Sequence, residues 1–483
     1  MVTAAAWSGG RILEDARDLS SLGSFDVVVC GGGTSGTAAA IGAARAGAST
    51  LLVERYGFLG GLLTAWTAEP VLTFHDPSGR AVVGGFWREL LERLVKMGGS
   101  PGALRAEGRP PWGRSCRLTP IDTEITKIAL DQMVEEAGVR VVLHALATGP
   151  VMEGDRVRGV VLETPSGRLA ALGKVVVDAT ANGDVCAGAG VALQKGRESD
   201  GRMMPATNHF KVAGVDTPAL RRHVESHPDR FRWWSVMDAE KELPPGVETR
   251  YVACSGFHEE IAAAVGRSEL YLGRETINAL PVPRPGQMEL NTTRVSGVDG
   301  TDASDVTRTE IDTRKQALSV IDFARRTIPG FQHAQILQLA VGAQFRETRR
   351  LVGEYVLTKE DVVEGRKHED VIAKGAYPVD IHDPVGSTST WIELRDSYDI
   401  PYHCLLPRGA RHLIVSGRLV SSTHEAYASL RVTPTPFATG QAAGVAAALA
   451  AREDRDVRDV VVEQLQEELR RQGVILKLPD PSE

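Results

Sequence analysis

At 483 residues the chain is long for one hydrophobic core, so two domains are expected. A formal charge of −7, with 42% apolar and 24% charged residues, is that of an ordinary globular protein and speaks against nucleic-acid or anionic-membrane partners. Five cysteines (Cys30, Cys116, Cys186, Cys254, Cys404) form no CxxC pair, which argues against a disulfide framework and a cysteine-ligated metal and points to a reducing cytoplasm.

Residues 1–24 read as a poorly ordered lead-in without the pattern of a secretory signal. Asp26–Val29 is a short β-branched run ending in glycine, as expected of a strand buried on both faces. A helix over Thr34–Ala46 and a second strand over Ala48–Val53 complete a right-handed βαβ unit. Phe58–Trp66 (FLGGLLTAW) reads as loop and Phe86–Met97 as helix. Gly98–Arg114 is a Gly/Pro/Arg-rich connection, part of an excursion from the core over 76–115. A further helix places Ile125, Ile128, Ala129, Met133 and Val134 on one face. Three strands follow, VRVVLHALATG, VRGVVLET and KVVVDAT, with a hairpin turn at GDRVRG. LIVSGRLV gives another buried strand, and the helix after it starts near Thr433 or Thr435 with proline in its first turn. Its alanine-rich run Phe437–Ala451 is too short to span a bilayer. Val457–Gln472 reads as an amphipathic helix striped by Val457, Val460, Val461, Leu465 and Leu469.

The expected class is α/β. A discontinuous Rossmann-like domain is built from 25–200 plus 400–455, with a parallel sheet, helices and a small antiparallel sheet. Residues 201–399 form a second, mixed α+β substrate or cap domain, and 456–483 a C-terminal helix and tail.

Gly31, Gly33 and Gly36 make a GxGxxG between strand and helix. Gly31 permits the tight turn, Gly33 the approach of a pyrophosphate, and Gly36 close helix–strand packing. Thr34 and Ser35 open the helix, whose N–H groups and dipole suit an anion. Glu54, followed by Arg55, ends the second strand where an acid binds ribose hydroxyls, which disfavours a 2′-phosphate. With no second GxGxxG, and dinucleotide-like features returning at the C-terminal strand and helix, a long cofactor threaded through a discontinuous domain is expected.

Three segments carry a family resemblance: DVVVCGGGTSGTAAAIGAARAGASTLLVERYGFLGG, VVVDATANGDVCAGAG and IPYHCLLPRGARHLIVSGRLVSSTHEAYASLRVTPTPFATGQAAGVAAAL. Arg346–Val362 and Tyr377–His382 add a looser match. Together they resemble the FAD-dependent oxidoreductases of the glutathione-reductase-like flavoprotein superfamily, on its fumarate reductase side. The resemblance implies FAD, two domains and redox chemistry. It departs at Ala181-Asn182-Gly183-Asp184, where a glycine often follows DAT, and at His403, where an arginine is usual.

Under that resemblance the cofactor is expected along Gly31–Gly36, Glu54, Arg55, Gly60, Gly61, Ala147, Ala179, Asp184, Gly417, Thr435 and Gly440. Gly60 and Gly61 would let backbone lie flat on the isoalloxazine. Asp184 either binds the cofactor's polar linker or serves a helix N-terminus. The helix at Thr435 would face the flavin's pyrimidine edge, stabilising charge that develops there.

His424 is the first candidate for acid or base, since histidine titrates near neutrality; otherwise it ties a loop to backbone carbonyls. Glu425 orients His424 or caps a helix. Arg431 binds an anionic substrate or the flavin, or makes a structural ion pair. His75, Asn291, Arg294, Arg346, Arg349, His382 and His403 are candidate substrate contacts. The expected reaction is hydride transfer from a C–H of a small alcohol, amine or saturated C–C unit to flavin N5, with oxygen or a partner protein as acceptor. The alternatives are reduction of an activated C=C bond, an electron-transfer flavoprotein, and tRNA-type nucleotide modification, which the acidic charge disfavours. Oligomeric state is left open.

Overall fold

The computed structural model describes residues 18–67, 70–72, 75–76, 78–110, 117–239 and 243–478, with the backbone of 7–8 and 11–12. Cys116 and much of the Gly98–Arg114 connection's end lie outside them. Among the described residues no helix is long and apolar enough to cross a membrane.

A seven-stranded sheet carries the glycine turn. Its order is Leu146–Glu153, Arg156–Thr164, Gly167–Asp178, Ser20–Cys30, Thr50–Val53 and Arg140–Val142, with Leu413–Val415 beside the end of Gly167–Asp178. Pairing is parallel across Gly167–Asp178, Ser20–Cys30, Thr50–Val53 and Arg140–Val142, and again to Leu413–Val415. The first three strands in that order form an antiparallel meander.

The first strand starts at Ser20, inside the expected lead-in. Its Ser20–Phe25 half is only partly buried and held by pairing with Leu169–Gly173, so no apolar run announces it. VRVVLHALATG is two strands, because His144 at φ +53 turns the chain between Val142 and Leu146. On the helix Thr123–Glu136 the buried face includes Leu130, whereas Ile128 is 48% exposed. The C-terminal helix is interrupted: a 3₁₀ turn at Val457–Asp459 precedes Val462–Arg471, and Val461 between them is exposed.

A second seven-stranded sheet is antiparallel throughout. It runs Gln335–Leu339, Phe210–Ala213, Gln287–Leu290, Ile277–Pro281, Arg250–Gly256, Phe231–Asp238 and Glu107–Arg109. One edge strand, Glu107–Arg109, comes from within 76–115, the segment expected to leave the core. The long helix Ala303–Thr327 covers one face, with Ala317, Val320, Ile321 and Ala324 in one apolar cluster with Phe210, Val212 and Ile277.

The helix Thr34–Arg45 lies directly against the helix Thr435–Arg452. Both are rich in alanine and glycine, which lets their backbones nearly touch. A Cβ at Gly440 would lie 2.1 Å from Ser35 O, and one at Gly444 would lie 1.9 Å from Ala39 O. This packing brings the distant end of the chain over the glycine turn.

Candidate functional site

A cleft of about 370 Å³ runs from the glycine turn to the second sheet. At one end its walls are mostly backbone. Gly31, at φ +98, has Ala179 O where a Cβ would stand, and a Cβ at Gly36 would lie 1.7 Å from Gly31 O. Both glycines are therefore required by contact. Gly36 acts by packing and is not a cleft wall, whereas Gly31, Gly33, Thr34 and Ser35 are. Gly33 faces Gly61 across the cleft wall, where a Cβ on Gly61 would meet Gly33 Cα at 2.7 Å.

Glu54 is buried at the end of its strand. Its Oε2 accepts from Gly32 N at 2.6 Å and its Oε1 from Tyr56 N at 2.8 Å. Burial raises its pKa, and these backbone bonds partly offset the rise. It lines the cleft with Arg55, whose Nη2 donates to Tyr56 Oη at 3.1 Å.

The buried Asp178 organises the next wall. Its Oδ1 accepts from Thr180 N and Oγ1 at 3.0 and 2.7 Å, and its Oδ2 from Cys186 N at 2.8 Å. Ala181 stands at φ +68, a left-handed conformation that favours glycine. Asp184 opens a short helix and lines the cleft; burial and then Asp178 raise its pKa, against Arg349, which lies 3.4 Å away.

Two helix N-termini open beside these walls, at Thr34 and at Thr435, and neither carries a side-chain cap. Residues at both, Gly33–Ser35 and Thr433 with Pro436, line the cleft. The open N–H groups at the Thr34 end suit an anion, whereas at the other end Thr435 N and Phe437 N already donate to Val432 O and Pro434 O and Pro436 has no N–H, so that end offers mainly its dipole. Gly417, at φ +66, completes the floor, since a Cβ there would meet Ser35 Oγ at 2.4 Å. Ala147 and Ala179 line the same space.

At the other end the walls are charged side chains. Arg346 is 4% exposed; its Nη1 donates to Pro205 O at 2.8 Å and its Nη2 to Asn291 Oδ1 at 3.4 Å. Burial, then the neighbouring Arg274, Arg431 and Arg294, hold its pKa well below the guanidinium range. Burial and Arg294 likewise bring Arg274 to about 10. Arg431 Nη2 lies 3.7 Å from Asp380 Oδ2, and its buried Nε has no hydrogen-bond partner among the described residues. Burial alone would raise Asp380, yet His382, Arg431 and Arg346 bring it to about 2. His382 has one nitrogen 3.3 Å from Asp380 and the other 3.2 Å from Ser389 Oγ. Burial, with Arg346 and Arg431, lowers it to about 3, so it is neutral near pH 7.

Of the expected site residues, Asn291, Arg346, His382 and Arg431 thus meet in the cleft. Others do not line it. His424, 1% exposed, turns inward with Nδ1 3.0 Å from Glu347, which also pairs with the buried Arg350. Its orienting partner is therefore Glu347, not Glu425, and both 424 and 425 stand outside the cleft walls. Thr435 begins its helix just behind Thr433, and Gly440 is consumed by helix packing. Gly60, at φ +104, packs against Thr64 and Leu130. Arg294 donates to Gly386 O at 2.6 Å, behind the wall. Arg349 binds Asn182 O, His75 sits on an isolated bridge to Ala81, and the half-exposed His403 pairs with Asp370 at 2.6 Å on the surface.

The sequence reading missed Asp380, within the quoted Tyr377–His382 segment, and Arg418, which donates to Phe345 O. It also missed His209 and Glu289, both buried in the cleft wall with Nδ1 2.6 Å from Oε1. No short motif carries that pair.

Solved structures are similar to the chain at low identity and with TM-scores below 0.5. A geranylgeranyl bacteriochlorophyll reductase-like protein from Thermoplasma acidophilum matches with TM-score 0.46 and 13% identity, over 93% of this chain and 82% of that one. GidA from Aquifex aeolicus matches with TM-score 0.47 and 14% identity, over 89% and 64%. The p-nitrophenol 4-monooxygenase PnpA from Pseudomonas putida DLL-E4 matches with TM-score 0.43 and 11% identity, over 92% and 83%. The family model described as FAD dependent oxidoreductase matches residues 26–469. The chain belongs to the FAD-dependent oxidoreductase family, an enzyme family whose cofactor, FAD, suits the backbone-walled end of this cleft.

Proposed function

We propose that the protein transfers a hydride between FAD and a small organic substrate that carries an anionic group, oxidising an alcohol or amine C–H. The supporting observation is the charge balance at the far end of the cleft. Arg346 and Arg431 line it, with Arg274 and Arg294 behind them acting on Arg346, Asp380 beside Arg431 and His382 neutral. Mutually repelling guanidinium groups in a desolvated wall are stabilised by an anion, and a carboxylate is the matching planar acceptor.

FAD, when bound, supplies the two-electron acceptor. In this reading Gly31–Ser35, Glu54 and Asp184 hold its adenosine and pyrophosphate half, and the helix end at Thr433–Pro436 faces its ring. Arg346 and Arg431 bind the substrate carboxylate, and Asn291, tied to Arg346, fixes the angle of approach. The buried walls exclude water from the reacting carbon.

The test is anaerobic mixing of the purified yellow protein with 2-hydroxy and 2-amino acids and with their neutral amides. Bleaching of the flavin by the acids and not the amides is expected. Bleaching by the amides alone overturns the anionic substrate. Rapid reoxidation of dithionite-reduced protein by an unsaturated acid, without bleaching by any saturated one, assigns the opposite direction, C=C reduction.

A further inference from the structure

We propose that His209, positioned by Glu289, is the proton acceptor of this reaction; the assignment rests on the hydride-transfer reading above and adds the group that reading lacks. Both side chains line the cleft, and Glu289 is fully buried. His209 Nδ1 lies 2.6 Å from Glu289 Oε1, off the axis of an in-line hydrogen bond. Such bonds often tighten only when substrate is present.

The backbone around His209 is held on three sides. Asn208 N donates to Thr293 Oγ1 at 2.7 Å, and Thr293 Oγ1 donates back to Asn208 O at 2.9 Å. Thr207 Oγ1 donates to Thr293 O at 2.7 Å, and Ala340 N to His209 O at 3.2 Å. Glu289 is placed by the antiparallel register of Phe210–Ala213 with Gln287–Leu290. Asn291 lies just past the strand that carries Glu289, and His209, Glu289, Asn291 and Arg346 all line the one cleft, where Arg346 donates to Asn291. A fixed histidine beside a buried carboxylate and an anion-binding arginine is the arrangement of an oriented base.

The other histidine of the cleft cannot serve in the same way. Both ring nitrogens of His382 are engaged, by Asp380 and Ser389. His424 is turned to Glu347 behind the wall. With Nδ1–H toward Glu289, the Nε2 lone pair of His209 is the available base. In the step, the substrate O–H or N–H bond breaks and its proton goes to His209 Nε2. The C=O or C=N bond forms as the adjacent C–H bond breaks, and the hydride with its two electrons goes to the family's FAD.

The test uses the full-length holoprotein in wild-type, His209→Gln, His209→Gly and Glu289→Gln forms, with bound-flavin absorbance confirming each fold. Long-range ¹H–¹⁵N spectra of histidine-labelled protein, assigned by loss of the signal in His209→Gln, read the ring without turnover. The Nδ1–H tautomer is expected in the wild type and its loss in Glu289→Gln. An Nε2–H tautomer in the wild type, or no change in Glu289→Gln, overturns the proposal. With whichever panel acid bleaches the wild type, His209→Gln should slow bleaching about 100-fold or more with little change in half-saturation. Added imidazole should restore part of the rate in His209→Gly. Undiminished bleaching in His209→Gln also overturns it. If no panel member bleaches the wild type, the hydride-transfer reading fails, and the tautomer result still decides the pair.

Discussion

The two ends of the cleft are built by different means. At the dinucleotide end the walls are mostly backbone, and side chains matter mainly by their absence: a Cβ on Gly31, Gly36 or Gly417 would collide with a neighbouring atom of the protein. At the other end, the proposed substrate end, the walls are polar and charged side chains drawn from separate segments: Asn291, Arg346, Asp380 and Arg431. A site made of backbone tolerates almost no added volume, whereas one made of side chains tolerates volume but not an altered charge. Each end should therefore fail in its own way.

The largest effect is expected from Gly36→Ala. The new Cβ would sit 1.7 Å from a carbonyl oxygen, so the turn must move, at a cost of about 3 kcal/mol or more. The purified variant should lose flavin absorbance and melt at a lower temperature; retention of both would show that the turn has slack. Arg346→Met should do the opposite. The yellow colour should persist, while affinity for a carboxylate substrate or competitor, read from the flavin spectrum, falls about 10- to 100-fold. Unchanged carboxylate binding would remove the arginines from the substrate site.

Acid titration separates the ends further. His382 is held down to about 3 against an ordinary 6.5, so the fold disfavours its protonation. The stability this contributes is complete above pH 6.5 and is lost as pH falls toward about 3, by up to about 1.4 kcal/mol per pH unit. Asp380, lowered to about 2, adds to the loss only below pH 4 or so, roughly its unfolded value. Denaturant midpoints measured across that range should flatten in His382→Gln; an unchanged slope would place the titration elsewhere. The smallest effect is expected from Ala181→Gly, which relieves a left-handed alanine and should raise stability by about 1 kcal/mol or less. A lower melting temperature would contradict that account.

The same contrast explains what the sequence disclosed. The glycine turn, its helix and Glu54 are close neighbours in the chain, and their spacing is fixed by backbone geometry. The closing helix was readable for a similar reason, since Pro436 marks its first turn. His209 and Glu289, by contrast, meet only through the register of two antiparallel strands, which no local pattern specifies. For His424, residue type and neighbourhood suggest chemistry, while its direction is set by a buried partner, Glu347, far away in the chain. Ser20–Phe25 escaped notice because a partly buried, paired half-strand packs with only two apolar residues, Leu22 and Phe25.

The near-contact of the two glycine-bearing helices has a consequence for biosynthesis. On the ribosome the turn at Gly31–Gly36 emerges first, and the partner that covers it, with Gly440 and Gly444, emerges only after both sheets have been made. Until that late segment docks, the phosphate-binding end lacks Gly417 and the second helix end. Tight cofactor capture is thus deferred to a nearly finished polypeptide, and a prematurely terminated chain would be released without its flavin.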